Sequence, residues 1–301
     1  MIVRPRTGFL KLFFVMQGSI VPRIVPQIIG FAVYAAVLTF LLRRYAPVMT
    51  DLGIAPFGLV SITLSIYLGF RNNAAYDRWW EARKLWGQLI FDIRNLARAV
   101  ISLLPGPAAR RELLMLAAAF CHLLRGQVRR VDASAEARAL AGTAVDEAAR
   151  HVNGADALLR LMGRKVADAR NAGAIDSIGF RILDERLASL AAVQAGCERI
   201  AGTPLPFAYT LLLQRTAYIV CILLPFGLVG ATGWATPLFT AMIAYTFFGL
   251  DALSEELEDP FGTEANDLAL DAMCRICEIS VFEALDEPAP QPLSPDKFFV
   301  S

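Results

Sequence analysis

A helix that starts in an apolar solvent and finishes in water constrains this chain more than any other feature. From Ala55 to Arg83 the sequence reads APFGLVSITLSIYLGFRNNAAYDRWWEAR, with no charge before Arg71 and then Arg71, Asp77, Arg78, Glu81 and Arg83. No proline or glycine pair interrupts it where it changes character, so one helix is expected to leave a membrane here. Within it Ile62, Ile66 and Phe70 recur every four residues and share one stripe, while Thr63 and Ser65 fall on other faces. Such a stripe fits ordinary packing against a neighbouring helix. It also fits a hydrophobic constriction made by several copies meeting on an axis. Spacing does not choose between the two.

Composition supports the membrane setting. The hydrophobic fraction is 56% and the mean hydropathy +0.48, above what soluble domains carry. A formal net charge of +1 argues against nucleic acid as partner. The N-terminal run MIVRPRTGFLKLFFVMQGSIVPRIVPQ lacks an unbroken apolar core ending in a cleavage site, so no signal peptide is expected. It reads as an amphipathic surface helix, with Phe9, Leu10, Phe13 and Phe14 apolar beside Arg4, Arg6 and Lys11.

Four spans follow from the apolar runs. Ile28 to Leu42 reaches spanning length with the snorkelling Arg43 and Arg44, and Leu52 to Phe70 forms the second. From Thr216 to Leu250 no residue is charged, which suits a helical hairpin turning at Gly230 to Pro237. Basic residues gather before the first span and after the second, placing both termini in the cytoplasm. Between Tyr76 and Ile200 the pattern is helical and soluble in character. Leu85, Leu89, Ile93, Leu96 and Val100 repeat at three or four, and Pro105 to Pro107 breaks the helix.

Catalytic chemistry is missing from the pattern. There is no nucleophile elbow and no phosphate-binding glycine loop, so an enzyme is not expected. His122 and His151 have no ligand-spaced partner and read as surface or packing residues. Cys274 and Cys277 form a lone C-x-x-C that reads as two small buried side chains. The acidic run Glu255, Glu256, Glu258, Asp259, Glu264 and Asp267 reads as a solvated surface facing Arg71 and Arg78, with a divalent-ion site as the lesser alternative.

Three motifs together resemble the bestrophin family, in its bacterial form: LGFRNNAAYDRWWEAR at 68–83, TPLPFAYT at 203–210 and EELEDPFG at 255–262. The resemblance implies an all-α membrane protein, four transmembrane helices with a helical cytosolic body, assembled as a homopentamer around one axial pore. It places the pore neck at Ile62, Ile66 and Phe70, and a cytosolic aperture near Phe180, with Ile178 or Ile182 as alternatives. Animal members hold calcium after Pro-Phe-Gly, and the side-chain positions kept for such a clasp are Glu264 and Asp267.

The implied function is passage of small monovalent ions through a hydrophobic neck. The family suggests chloride, and the alternative is a sodium-type cation channel of the same fold. A membrane-anchored scaffold or sensor is the competing class. The implied partners are copies of the chain itself, membrane lipids and permeant ions, in a bacterial inner membrane, with no required cofactor. The expected division is 1–27 surface segment, 28–70 first two spans, 71–204 cytosolic body, 205–252 last two spans, 253–285 acidic turn and helix, and 286–301 disordered tail.

Overall fold

The computed structural model describes residues 1–4, 8, 15–45, 53 and 55–301. The apolar residues Phe9, Leu10, Phe13 and Phe14 of the expected surface helix, with Arg6 and Lys11, lie outside the described residues. Most of the loop before the second apolar run does too. Ten α-helices and one 3-10 turn form the described fold, with only isolated β-bridges beside them. They are α1 (Val21–Tyr45), α2 (Ala55–Leu103), α3 (Pro107–Arg129), α4 (Ser134–Ala141), α5 (Thr143–Ala148), α6 (Gly154–Asn171), α7 (Ser177–Gly202), α8 (Phe207–Thr232), α9 (Thr236–Glu258) and α10 (Leu270–Ala284). The all-helical expectation holds over these residues. The chain divides into two units, Pro5–Trp79 with Pro204–Asp259, and Trp80–Thr203 with Pro260–Ser301 and the first four residues.

The first unit is apolar. Val21–Tyr45 and the stretch Phe207–Glu258 have hydropathies of 2.1 and 1.8 and the length to cross a membrane. The latter is two helices, α8 and α9, joined by the 3-10 turn Gly233–Ala235, with Gly233 at φ 55. Its core joins Ile24 of α1, Leu64 and Leu68 of α2, Leu213, Ala217 and Val220 of α8, and Ala244, Phe247 and Phe248 of α9. The Phe248 ring stacks on Phe31 at 5.5 Å and meets Tyr218 at 4.9 Å, so three helices share one aromatic contact. Helix α9 continues through Glu255, Glu256 and Glu258, and the chain turns at Pro260 to Gly262, where the sequence places the turn. No glycine or proline stops it earlier.

The second unit is built around α3. From Leu113 to Gly126 nearly every residue of that helix is buried, so it is a central helix, packed by α4, α6, α7 and α10. The second half of α2 buries Trp86, Leu89, Ile93, Leu96 and Val100. Trp86 thus takes the core position that periodicity gave to Leu85, which is half-buried against Gly196. Asn153 caps α6 through Asp156 N–H and Asp176 caps α7 through Gly179 N–H, each worth about 1 kcal/mol. Helix α3 ends in a left-handed Arg130, with the Val131 amide donating to Gly126 O at 2.9 Å. The closing turn folds so tightly that a Cβ on Gly126 would sit 2.8 Å from Val131 O and from Ala133 Cβ.

Arg125 and Arg129 of α3 both reach Asp271 of α10, at 2.5 and 2.7 Å, and Arg125 also pairs with Glu136 at 2.9 Å. Burial raises the Asp271 carboxyl, but the Arg129 hydrogen bond and the two guanidinium charges outweigh it and hold it below its ordinary value. The Arg125 hydrogen bond does the same for Glu136. The end of the proline-rich tail is not disordered as its composition suggested. Phe298 O accepts from Val3 N–H at 2.8 Å, and Ser301 O accepts from Ala272 N–H at 2.9 Å. Backbone hydrogen bonds there supply the order that side-chain composition does not.

Gly126→Ala is expected to destabilise the protein by about 1–3 kcal/mol, whereas Gly163→Ala, mid-helix with nothing within 4 Å, is neutral or slightly stabilising. Thermal unfolding in detergent compares the two, and equal midpoints would contradict the close packing at Gly126. Because Asp271 and Glu136 titrate below their unfolded values, the stability they supply is present above the ordinary carboxylate range of about pH 4 and is lost as pH falls through their folded values. Asp271→Asn should therefore flatten the acid limb of the stability curve. An unchanged acid limb would remove this pair from the account.

Candidate channel-lining site

The first half of α2 has two opposite faces. Leu64 and Leu68 are 2% and 0% exposed and pack in the core, whereas Ile62, Ile66 and Phe70 are 61%, 53% and 59% exposed. At about 100° per residue, Ile66 lies about 160° from both core leucines. The first half of α2 therefore holds three large apolar side chains in line, turned away from its own subunit's interior. The hydroxyls on the flanks are satisfied locally, Thr63 donating to Leu59 O at 3.0 Å and Ser65 to Ser61 O at 2.8 Å. Nothing polar competes for the stripe.

What fixes its direction is a charge cluster one residue further on. Arg71 is 1% exposed and its guanidinium pairs with Asp251 of α9 and, at 3.7 Å, with Glu258. Gln214 of α8 donates to the other Asp251 oxygen at 3.3 Å, Arg78 donates to Glu258 O at 2.6 Å, and Glu258 accepts from Leu205 N–H at 3.1 Å. Ser254 donates to Asn72 Oδ1 at 3.1 Å. A buried guanidinium without its carboxylates costs several kcal/mol, so rotating α2 about its axis is unfavourable. Of the acidic run, Glu258 meets Arg71 and Arg78 in an internal clamp, whereas Glu255 stays at the surface and pairs with Arg23 at 2.8 Å.

The family whose description reads Bacterial/Fungal Bestrophin protein matches residues 1–283. The chain belongs to that family. Among relatives, the voltage-dependent anion channel-forming protein of Mesorhizobium japonicum is 68% identical over the whole chain and 97% of its own length. That of Escherichia coli K12 is 43% identical over 99% of each chain. The crystal structure of a bacterial bestrophin homologue from Klebsiella pneumoniae superposes with a TM-score of 0.84 at 39% identity, covering 88% of this chain and 99% of that one. Family and relatives are channel proteins and not enzymes.

The other residues singled out in this bestrophin fall as follows. Phe180, in the first turn of α7, is half-buried with the Arg170 guanidinium 5.2 Å above its ring, whereas Ile178 is 69% exposed and Ile182 half-buried. Glu264 and Asp267 share one turn, the Glu264 amide donating to Asp267 Oδ2 at 2.7 Å and the Asp267 amide to Glu264 O at 3.3 Å. All five cysteines are free and buried. Cys274 and Cys277 lie against Cys121, and burial, with the Cys277 contact, pushes the Cys121 thiol well up, keeping it protonated. His122 is buried with Nε2 2.5 Å from Glu278, a partner 156 positions away that no local spacing reveals.

Asp251→Ala is expected to cost about 3–5 kcal/mol, because Arg71 stays buried without its main counter-charge. Pairing Arg71→Met with Asp251→Leu should recover most of that loss. Detergent melting curves of the single and double variants decide it, and a single variant as stable as the parent would show that the clamp does not hold α2.

Proposed function

We propose that this bestrophin forms a homopentameric ion channel of the bacterial inner membrane, with α1, residues 55–70 of α2, α8 and α9 as its four spans and both termini cytoplasmic. The observation that carries the reading is the outward Ile62, Ile66 and Phe70 stripe on a helix whose opposite face is packed. Five copies around an axis would give a greasy neck that an ion crosses only by shedding part of its hydration, which is gating by dewetting. The names of the relatives favour small monovalent anions such as chloride as the permeant species, and a sodium-type cation channel of the same fold is the alternative. For the cytosolic aperture we assign Ile178 in place of Phe180, since the Phe180 ring is committed to Arg170 while Ile178 is free to line an opening. Glu264 and Asp267 are retained as a candidate clasp for a divalent ion.

Replacing Ile62, Ile66 and Phe70 together by alanine is expected to widen and wet the neck and raise single-channel conductance severalfold in planar bilayers. Conductance equal to the parent's would contradict the neck. Native mass in detergent should correspond to five chains, and a monomer or dimer would favour a membrane anchor instead.

A further inference from the structure

Past Phe70 the outward stripe of α2 continues through Asn73 to Asp77, both exposed. On an α-helix Asp77 falls within about 20° of Ile66 and Phe70 and about 10 Å beyond Phe70 along the axis. Three charged side chains occur at this end of the apolar run, Arg71, Asp77 and Arg78, and in sequence they sum to a positive charge. The structure reverses that sign on the outward face. Arg71 is buried against Asp251 and Glu258, and Arg78 is half-buried and donates to Glu258 O. By azimuth both arginines lie more than about 100° from Ile66. Among the described residues the Asp77 carboxylate makes no ion pair or hydrogen bond, so its charge is not cancelled.

We propose that Asp77 is the charge-selecting residue of the conduction path. It presents a ring of carboxylates at the inner end of the neck, which concentrates small cations and holds back anions, and so favours the cation alternative over the anion passage that the relatives' names suggest. This rests on the reading of Ile62, Ile66 and Phe70 as pore-lining. The neck itself carries no charge to sort ions, so the first uncompensated charge on its stripe sets the local ion concentration, an effect that is strongest at low ionic strength.

The test measures reversal potentials of the full-length protein in planar bilayers under a salt gradient, with the parent, Asp77→Asn and Asp77→Glu compared. Asp77→Asn is expected to lower the cation-to-anion permeability ratio by roughly three- to tenfold, on the order expected when several screened unit charges are removed, and Asp77→Glu to keep the parent's ratio. Adding a carboxylate on the same face, with Asn73→Asp, should raise the ratio. If Asp77→Asn conducts with the parent's ratio, the inference fails while the channel stands. If Asp77→Asn instead loses the pentameric mass and its remaining currents keep the parent's ratio, Asp77 belongs to a subunit contact and the inference again fails. A parent that passes no current overturns the channel reading itself, together with all that rests on it.

Discussion

A guanidinium removed from water at the end of an apolar helix is the constraint on which the first unit depends. Arg71 is almost wholly buried, and it tolerates that only because Asp251 and Glu258 approach it from α9, with Gln214 of α8 steadying Asp251. Apolar packing alone is permissive about rotation, since a leucine turned slightly still meets other leucines. A charge with two specific partners is not. The clamp therefore decides which residues of α2 face inward, and by exclusion which three face out.

The same logic separates the residues that sequence made visible from those it hid. Ile62, Ile66 and Phe70 were legible because a stripe repeats within one helix, and because the motif around Arg71 to Arg83 resembles a known family. Which face of α2 is packed was not legible, because it depends on Leu64 and Leu68 meeting α8 and α9 across long stretches of chain. The sign of the charge presented beyond Phe70 was hidden for the same reason, Asp251 lying 180 positions from Arg71. Near Phe180 the resemblance left three candidates, and the Arg170 guanidinium over the Phe180 ring together with the exposure of Ile178 supports our assignment of Ile178.

In the second unit, helix content and breakpoints were readable from periodicity and from Pro105 to Pro107, while the polar ties were not. Arg125 and Arg129 converge on Asp271 from a helix more than a hundred positions away, and His122 finds Glu278 likewise. These ties surround α3, whose burial on nearly all sides leaves few routes for its charged residues to reach water. The tail was misread because proline content describes what a segment can do alone, whereas its end borrows order from backbone groups at Val3 and Ala272.

The account's central claim is that the outward stripe of α2 meets ions. The most direct measurement is current through an Ile66→Cys variant before and after a charged, membrane-impermeant thiol reagent, compared with Leu64→Cys. The native cysteines are all buried and leave a quiet background. Rapid change of current at position 66 with none at position 64 is the predicted result. A reagent that leaves Ile66→Cys current untouched, while a lipid-soluble analogue labels that cysteine, would place the stripe against lipid and contradict the account.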